Sequence, residues 1–153
     1  MRERVLLIDG MNAIHRANLS FGAKEEIKQE HVIVYNFFRS LKSLVEQFKP
    51  QQVFFVLEGR PEFRYSIFPE YKANRIKTAE KTNPVYAACD LILEILNKLP
   101  VTVVRASDYE CDDAIAVLAH DLKDEEVIII SNDSDFIQLL QEPQLNVQVY
   151  NPP

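Results

Sequence analysis

An α/β domain, with a mainly parallel central sheet and helices on both faces, is the fold class this sequence predicts. The first sign is four short runs, RVLLID, QVFFVL, VTVVR and EVIIIS, which lack the polar alternation of a strand with one wet face. The second is that helical apolar spacing falls between them, so strands and helices alternate along the chain. The third is size: 153 residues, 47% hydrophobic, suit one core of ordinary dimensions and leave no room for a second.

The elements follow in order. RVLLID (4–9) is the first strand; the charged MRERVLLIDG start has too short an apolar run and no small-residue cleavage site for a signal peptide. Ile33, Phe37, Leu41, Leu44 and Phe48 then recur at helical spacing until Pro50. QVFFVL (52–57) is the second strand. The stretch that follows, EGRPEFRYSIFPEYKANRIK, fits neither a strand nor an ordinary amphipathic helix. Ala88, Leu91, Ile92, Ile95, Leu96 and Leu99 mark a helix opened near Pro84 and closed before Pro100. VTVVR (101–105) precedes the helix of YECDDAIAVLAHDL, with Ile115, Leu118 and Leu122 inward and Ser107 with Glu110 matching a capping box. After EVIIIS (126–131) comes a short helix from Asp133 through Phe136, Leu139 and Leu140, and VQVY (147–150) reads as a last strand. Right-handed crossovers would join the strands, and ligands of such sheets bind beyond the carboxyl ends of the strands.

Several function classes fall away. The apolar runs are far below the roughly 18 residues a membrane span needs, so no membrane partner is expected. Cys89 and Cys111, without a CxxC, give neither a disulfide framework nor a zinc pattern, which fits a cytoplasmic location. No GxxxxGKS/T or GxGxxG appears, so no nucleotide cofactor is expected. His15, His31 and His120 stand apart from one another without a GxSxG, and each reads as a packing or surface residue. Cys111 beside the acids reads as a small filler, since negative surroundings disfavour a thiolate.

Net charge is -6, an argument against nucleic acid until its distribution is read. Between Arg60 and Lys81 stand six basic residues, Arg60, Arg64, Lys72, Arg75, Lys77 and Lys81, against Glu62, Glu70 and Glu80. That segment is locally +3 while the rest of the chain is -9. It interleaves its cations with rings, namely Phe63, Tyr65, Phe68 and Tyr71. Aromatic faces stack bases and cations hold phosphates, the combination of single-strand binding; some of these rings will instead pack the loop down.

Acids gather where such a sheet binds ligands. Asp9 closes the first strand, Glu58 follows the second, Glu110, Asp112 and Asp113 open the helix after the third, and Asp133 and Asp135 follow the fourth. Any one alone is readily a helix cap or a first-turn acid favoured by the macrodipole. Capping does not, however, call for Asp9 or Glu58, whose strands enter no obvious helix. Several carboxylates within a few ångströms raise one another's pKa unless something positive sits among them, and a divalent cation is the natural compensation. Oxygen ligands without a His pair or thiolates favour Mg²⁺ or Mn²⁺, and seven acids exceed what one Mg²⁺ uses, so two ions are expected. Glu110 and Asp113, three apart, share a helix face, and Asp112 is expected to point elsewhere.

LLIDGMNAIHRA, FRYSIFPEYKANR, YECDDAIAVLA and SNDSDFIQL, in this order and spacing, resemble the 5′ nuclease family. That family takes in the 5′→3′ exonuclease domain of bacterial DNA polymerase I, phage 5′ exonucleases and flap endonucleases. The resemblance covers nearly the whole chain and implies a PIN-like fold. It implies a phosphodiesterase of DNA replication and repair, a structure-specific 5′→3′ exonuclease or flap endonuclease that hydrolyses DNA at a 5′ end or flap by a two-metal mechanism. RNA and RNA/DNA hybrids are further candidate substrates. It makes Asp9, Glu110, Asp112, Asp113, Asp133 and Asp135 metal ligands or their hydrogen-bonded neighbours, with Asp9 and Glu110 counted among the catalytic residues. Lys72 and Arg75 would place cations on the scissile phosphate from an arch-like segment at about 59–83, and Tyr71 would stack on a base. Arg64 and Lys77 complete the expected nucleic-acid-binding set.

Three departures stand out. LEG replaces the family's FDG, so Glu58 brings a longer side chain; Ser134 stands where GDKD has a lysine; and the sequence stops at VQVYNPP. The expectation is a single domain, 1–153, without the family's C-terminal duplex-binding helical region. Two rival functions are carried forward, a PIN-like single-strand ribonuclease and a non-cleaving nucleic-acid-binding or partner subunit.

Overall fold

The computed structural model describes residues 2–19, 27–71 and 83–152. Its strands β1 (Arg4–Asp9), β2 (Gln52–Leu57), β3 (Thr102–Arg105), β4 (Glu126–Ile130) and β5 (Val147–Tyr150) form one parallel sheet in the order β3-β2-β1-β4-β5. The fold class expected from the sequence is therefore observed. β1 is central, and alternation along it builds both halves of the core. Leu6 and Ile8 face α1 (Gly10–Leu19), α2 (Gln29–Phe48) and α4 (Pro84–Leu96). Val5 and Leu7 face α5 (Cys111–Asp121) and a 3₁₀ helix over Ser134–Gln141. All four side chains are at most 2% exposed, which explains why the strand shows no polar face.

The first departure from expectation is α1, which starts at Gly10 directly from Asp9 with no turn between. A Cβ on Gly10 would lie 2.7 Å from the Val56 carbonyl oxygen and 2.8 Å from the Phe55 ring, so only glycine lets the helix leave the sheet so closely. α2 buries Ile33, Phe37, Leu41 and Leu44 as the spacing predicts, and buried Asn36 donates through Nδ2 to the Ala17 carbonyl at 3.2 Å. It ends before Pro50, on Lys49 in the left-handed region with φ 48°. α4 opens at Asn83, whose Oδ1 accepts from Val85 N at 3.0 Å, with Pro84 in the first turn. The segment after β2 does contain a helix, α3 (Glu62–Ile67), but none of its residues is buried, hence the lack of amphipathic signal. Of the residues expected inward in the 3₁₀ segment, Phe136 and Leu139 are buried and Leu140 is 49% exposed. The tighter three-residue turn brings 136 and 139 onto one side. Among the described residues no helix is long and apolar enough to cross a membrane.

Connections run from β1 through β2 to β3 on one side and through β4 to β5 on the other. The order reverses between β1 and β4, and the crevice at their carboxyl ends is where such a sheet offers a ligand site. Asp9 and the Ser131–Asp135 segment end up there because their strands are neighbours, although over a hundred residues separate them.

Candidate functional site

Asp9 sits at the end of β1 among polar neighbours. Ser131, fully buried just beyond β4, donates from Oγ to Asp9 Oδ2 at 2.9 Å. Asn12 N donates to Asp9 Oδ1 at 3.2 Å. Asp9 thus does cap a helix, contrary to the expectation that capping had no use for it. The same Ser131 Oγ accepts from Asp133 N at 3.1 Å, and Asp133 Oδ1 accepts from Asp135 N at 2.9 Å as the cap of the 3₁₀ helix. The side chains of Asn12 and Asn132 bond across the same gap. Burial pushes the Asp9 carboxyl above its usual range, the bonds from Ser131 and Asn12 partly offset that, and Asp133 adds to it by repulsion.

Cys111 packs against the core as expected of a small filler, and it also borders Asp9. Its Sγ lies 3.7 Å from Asp9 Oδ1 and donates to the Val56 carbonyl at 3.3 Å. Burial first, then Asp9 and more weakly Glu58, push the thiol far above the ordinary thiol range, which disfavours a thiolate there.

Glu110, 5% exposed, is the N-cap of α5 rather than a residue on its face. Its backbone N donates to Asp113 Oδ2 at 3.2 Å, one half of a capping box between 110 and 113. The box expected with Ser107 is not formed; Ser107 Oγ donates to Asp108 instead. Because the helix begins only at 111, Asp112 does not point elsewhere. Glu110, Asp112 and Asp113 each offer a carboxylate oxygen within 4.8 Å of the others, and they are the only such set among the described residues. Asp112 is held above the usual carboxylate range by desolvation and by Asp113 and Glu110.

A positive group already sits on this set. Arg64 of α3 places Nη1 3.0 Å from Glu110 Oε2 and Nη2 2.7 Å from Asp113 Oδ1. Tyr71 closes the ring, its hydroxyl accepting from Arg64 Nη1 at 2.8 Å and donating to Glu110 Oε2 at 2.8 Å. The Arg64 guanidinium also lies over the Tyr71 ring, 5.4 Å from its centre. These bonds, that to Asp113 foremost, hold Arg64 above its ordinary range. Arg64 and Tyr71, expected on nucleic acid, are here on carboxylates.

The remaining acids stand at the same edge but outside the compact set. Asp135 lines one cavity of about 430 Å³ with Asp112, Asp113 and His120. Glu58 leaves β2 into a turn pinned to the α5 approach: Gly59 N donates to the Tyr109 carbonyl at 3.0 Å and Arg60 N to that of Ser107 at 3.2 Å. A Cβ on Gly59 would fall 1.6 Å from the Ala106 carbonyl oxygen, so glycine is required there. Beside this turn the exposed rings of Phe63 and Tyr109, 6.4 Å apart and tilted by 33°, line an apolar cavity of about 710 Å³ bordered by Arg64 and Asp113. Lys72, Arg75 and Lys77 lie outside the described residues, as does much of the arch-like segment. Sequence reasoning missed Asn12, Ser131 and Asn132. Their only signal was a small polar residue within three positions of an acid at a strand end.

A family model described as the 5′-3′ exonuclease N-terminal resolvase-like domain matches residues 4–152. The chain belongs to this 5′-3′ exonuclease domain family. It is 37% identical over 145 residues to DNA polymerase I of Treponema pallidum (strain Nichols), covering 91% of this chain and 14% of that protein. It is 29% identical over 143 residues to a 5′-3′ exonuclease of Mycoplasmopsis pulmonis (strain UAB CTIP), covering 92% of this chain and 46% of that one. The family domain thus spans under half of the exonuclease and a smaller part of the polymerase. In fold it is similar to the bacteriophage T5 flap endonuclease in a complex with DNA and metal ions, with a TM-score of 0.73, 19% identity, and coverage of 96% of this chain and 54% of that chain.

Proposed function

We propose that this domain hydrolyses DNA phosphodiesters near a 5′ end or flap, with Mg²⁺ or Mn²⁺ held at the carboxyl edge of the sheet. The observation that carries the proposal is the Glu110, Asp112 and Asp113 set. Its oxygens, within 4.8 Å of one another, suit a hard cation that binds oxygens at roughly 2.0–2.1 Å. No imidazole or thiolate belongs to the set, which argues against a zinc-type ligand shell. Asp9, Asp133, Asp135 and Glu58 at the same edge would serve a second ion or hydrogen-bond to its ligands. When bound, such ions supply Lewis-acid stabilisation of phosphate oxygens and make water a competent nucleophile at neutral pH.

The chain's own groups do the rest. Ser131 and Asn12 hold the Asp9 carboxylate by one bond to each of its oxygens. Lys72 and Arg75 offset charge growing on the phosphoryl oxygens, and Lys77 with Arg64 holds neighbouring phosphates. The Phe63 and Tyr109 faces, and the Tyr71 ring, offer stacking surfaces for unpaired bases. The relatives' printed names and the phage complex support DNA as substrate and a metal requirement. The test is a 5′-labelled DNA flap in Mn²⁺, beside an RNA of the same sequence. Wild type should cleave the DNA, and Asp112→Asn should lose about 100-fold or more, the scale of a lost transition-state contact. Equal rates in wild type and variant would reject the proposal. One observation favours the rival non-cleaving reading, the pairing of Arg64 with two carboxylates of the set, and saturable DNA binding without turnover in Mg²⁺ and Mn²⁺ would select it.

A further inference from the structure

We infer that Arg64 is the resident counter-cation of the acidic set, that a divalent ion displaces it, and that the released Arg64 and Tyr71 then hold a phosphate of the nucleic acid. The inference rests on the metal reading above and adds to it a coupling between ion and substrate.

The geometry points to exchange rather than coexistence. Arg64 bonds Glu110 Oε2 and Asp113 Oδ1, so two of the three residues of the compact set already spend an oxygen on a monovalent cation. A guanidinium and a divalent ion within a few ångströms repel one another, and the ion needs the same lone pairs. The arginine is placed to leave. It stands on α3, a six-residue helix with no buried residue, and its side chain is 34% exposed, whereas the Glu110 side chain is 7% exposed and fixed at the cap of α5.

What the pair would do next follows from its shape. The planar fork that bonds two carboxylates here matches a phosphate equally well, and the Tyr71 hydroxyl bonded to it both donates and accepts. Once an ion neutralises the carboxylates, an incoming phosphate becomes the nearest anion to that fork. In the ion-free protein the fork is engaged and the carboxylates repel phosphate, so ion and nucleic acid strengthen each other's binding by the same factor.

The test is a Mn²⁺ titration followed by electron paramagnetic resonance without nucleic acid, paired with fluorescence anisotropy of a labelled 5′-flap oligonucleotide in Ca²⁺ and in EDTA. Arg64→Gln should bind Mn²⁺ about five-fold or more tightly than wild type, because a competitor is gone. Its gain in DNA affinity from Ca²⁺ should be smaller than that of wild type. Arg64→Lys keeps the charge without the fork, so its Mn²⁺ affinity should stay near wild type while its Ca²⁺-dependent gain falls; it serves also if the Gln variant does not fold. Unchanged or weaker Mn²⁺ binding by Arg64→Gln, with wild type binding the ion, would overturn the exchange and leave Arg64 as a support for Glu110 and Asp113. Wild type that binds no Mn²⁺ would instead overturn the metal reading, and the exchange with it.

Discussion

Asp112 shows how much of this site is electrostatic. Its carboxyl is raised above the ordinary 3.8 by desolvation first and then by two like charges, with the bond from Asp113 N and, more weakly, Arg64 pulling the other way. The native state therefore holds that proton more tightly than the unfolded chain. The stability this contributes is present below the unfolded value and is lost as pH rises through the raised native one. At neutral pH without metal, Asp112→Asn should accordingly be more stable than wild type, by about 0.5 kcal/mol for a partly exposed charge. Thermal melts in EDTA would show a rise of roughly 1–2 °C, and a fall would contradict the account. Mn²⁺ affinity should drop as pH is lowered through the raised Asp112 value, since the ion needs the carboxylate. At this scale the acids themselves were legible in the sequence, and their jobs were only half so. Asp9 and Asp133 cap helices while facing the cleft, and spacing alone does not separate the two duties. The Arg64 contact was illegible because its partners are 46 and 49 residues away on another element.

Among the elements, the buried strands and α2, α4 and α5 were readable because burial on one or both faces leaves a period in the sequence. α3 left none, having no buried residue, and α1 was hidden because Gly10 lets it start without a turn. The second such glycine yields a prediction. Gly59→Ala drives a Cβ into the Ala106 carbonyl oxygen and must break the pinning bond from Gly59 N to Tyr109. Chemical denaturation should register a loss of about 2–3 kcal/mol, as for overpacking against backbone; a loss below roughly 0.5 kcal/mol would show that the turn is not fixed as described. Lys49 offers the opposite case. It ends α2 at φ 48°, a conformation that costs a side chain roughly 1 kcal/mol and glycine little, so Lys49→Gly should raise the melting temperature slightly.

For the molecule as a whole, alternation of strand and helix announced a parallel sheet, yet nothing local announced the order β3-β2-β1-β4-β5. That order sets β1 beside β4 and so brings Asp9 against Ser131, a pairing 122 residues apart. The approach of distant acids to one edge is thus a property of topology, and under the proposed metal reading the native state binds cations that the unfolded chain does not. Divalent ions should therefore stabilise the folded chain by mass action, by about 2.7 kcal/mol at a hundred times the dissociation constant, read as a rise in melting temperature. Asp112→Asn should blunt that rise. The most direct measurement is a crystal of the domain soaked in Mn²⁺ and recorded at the manganese absorption edge. Anomalous density should appear within ligand distance of Glu110, Asp112 and Asp113, with the Arg64 guanidinium moved off them. Density at unrelated surfaces only, or an edge left empty at saturating Mn²⁺, would contradict the proposed metal centre.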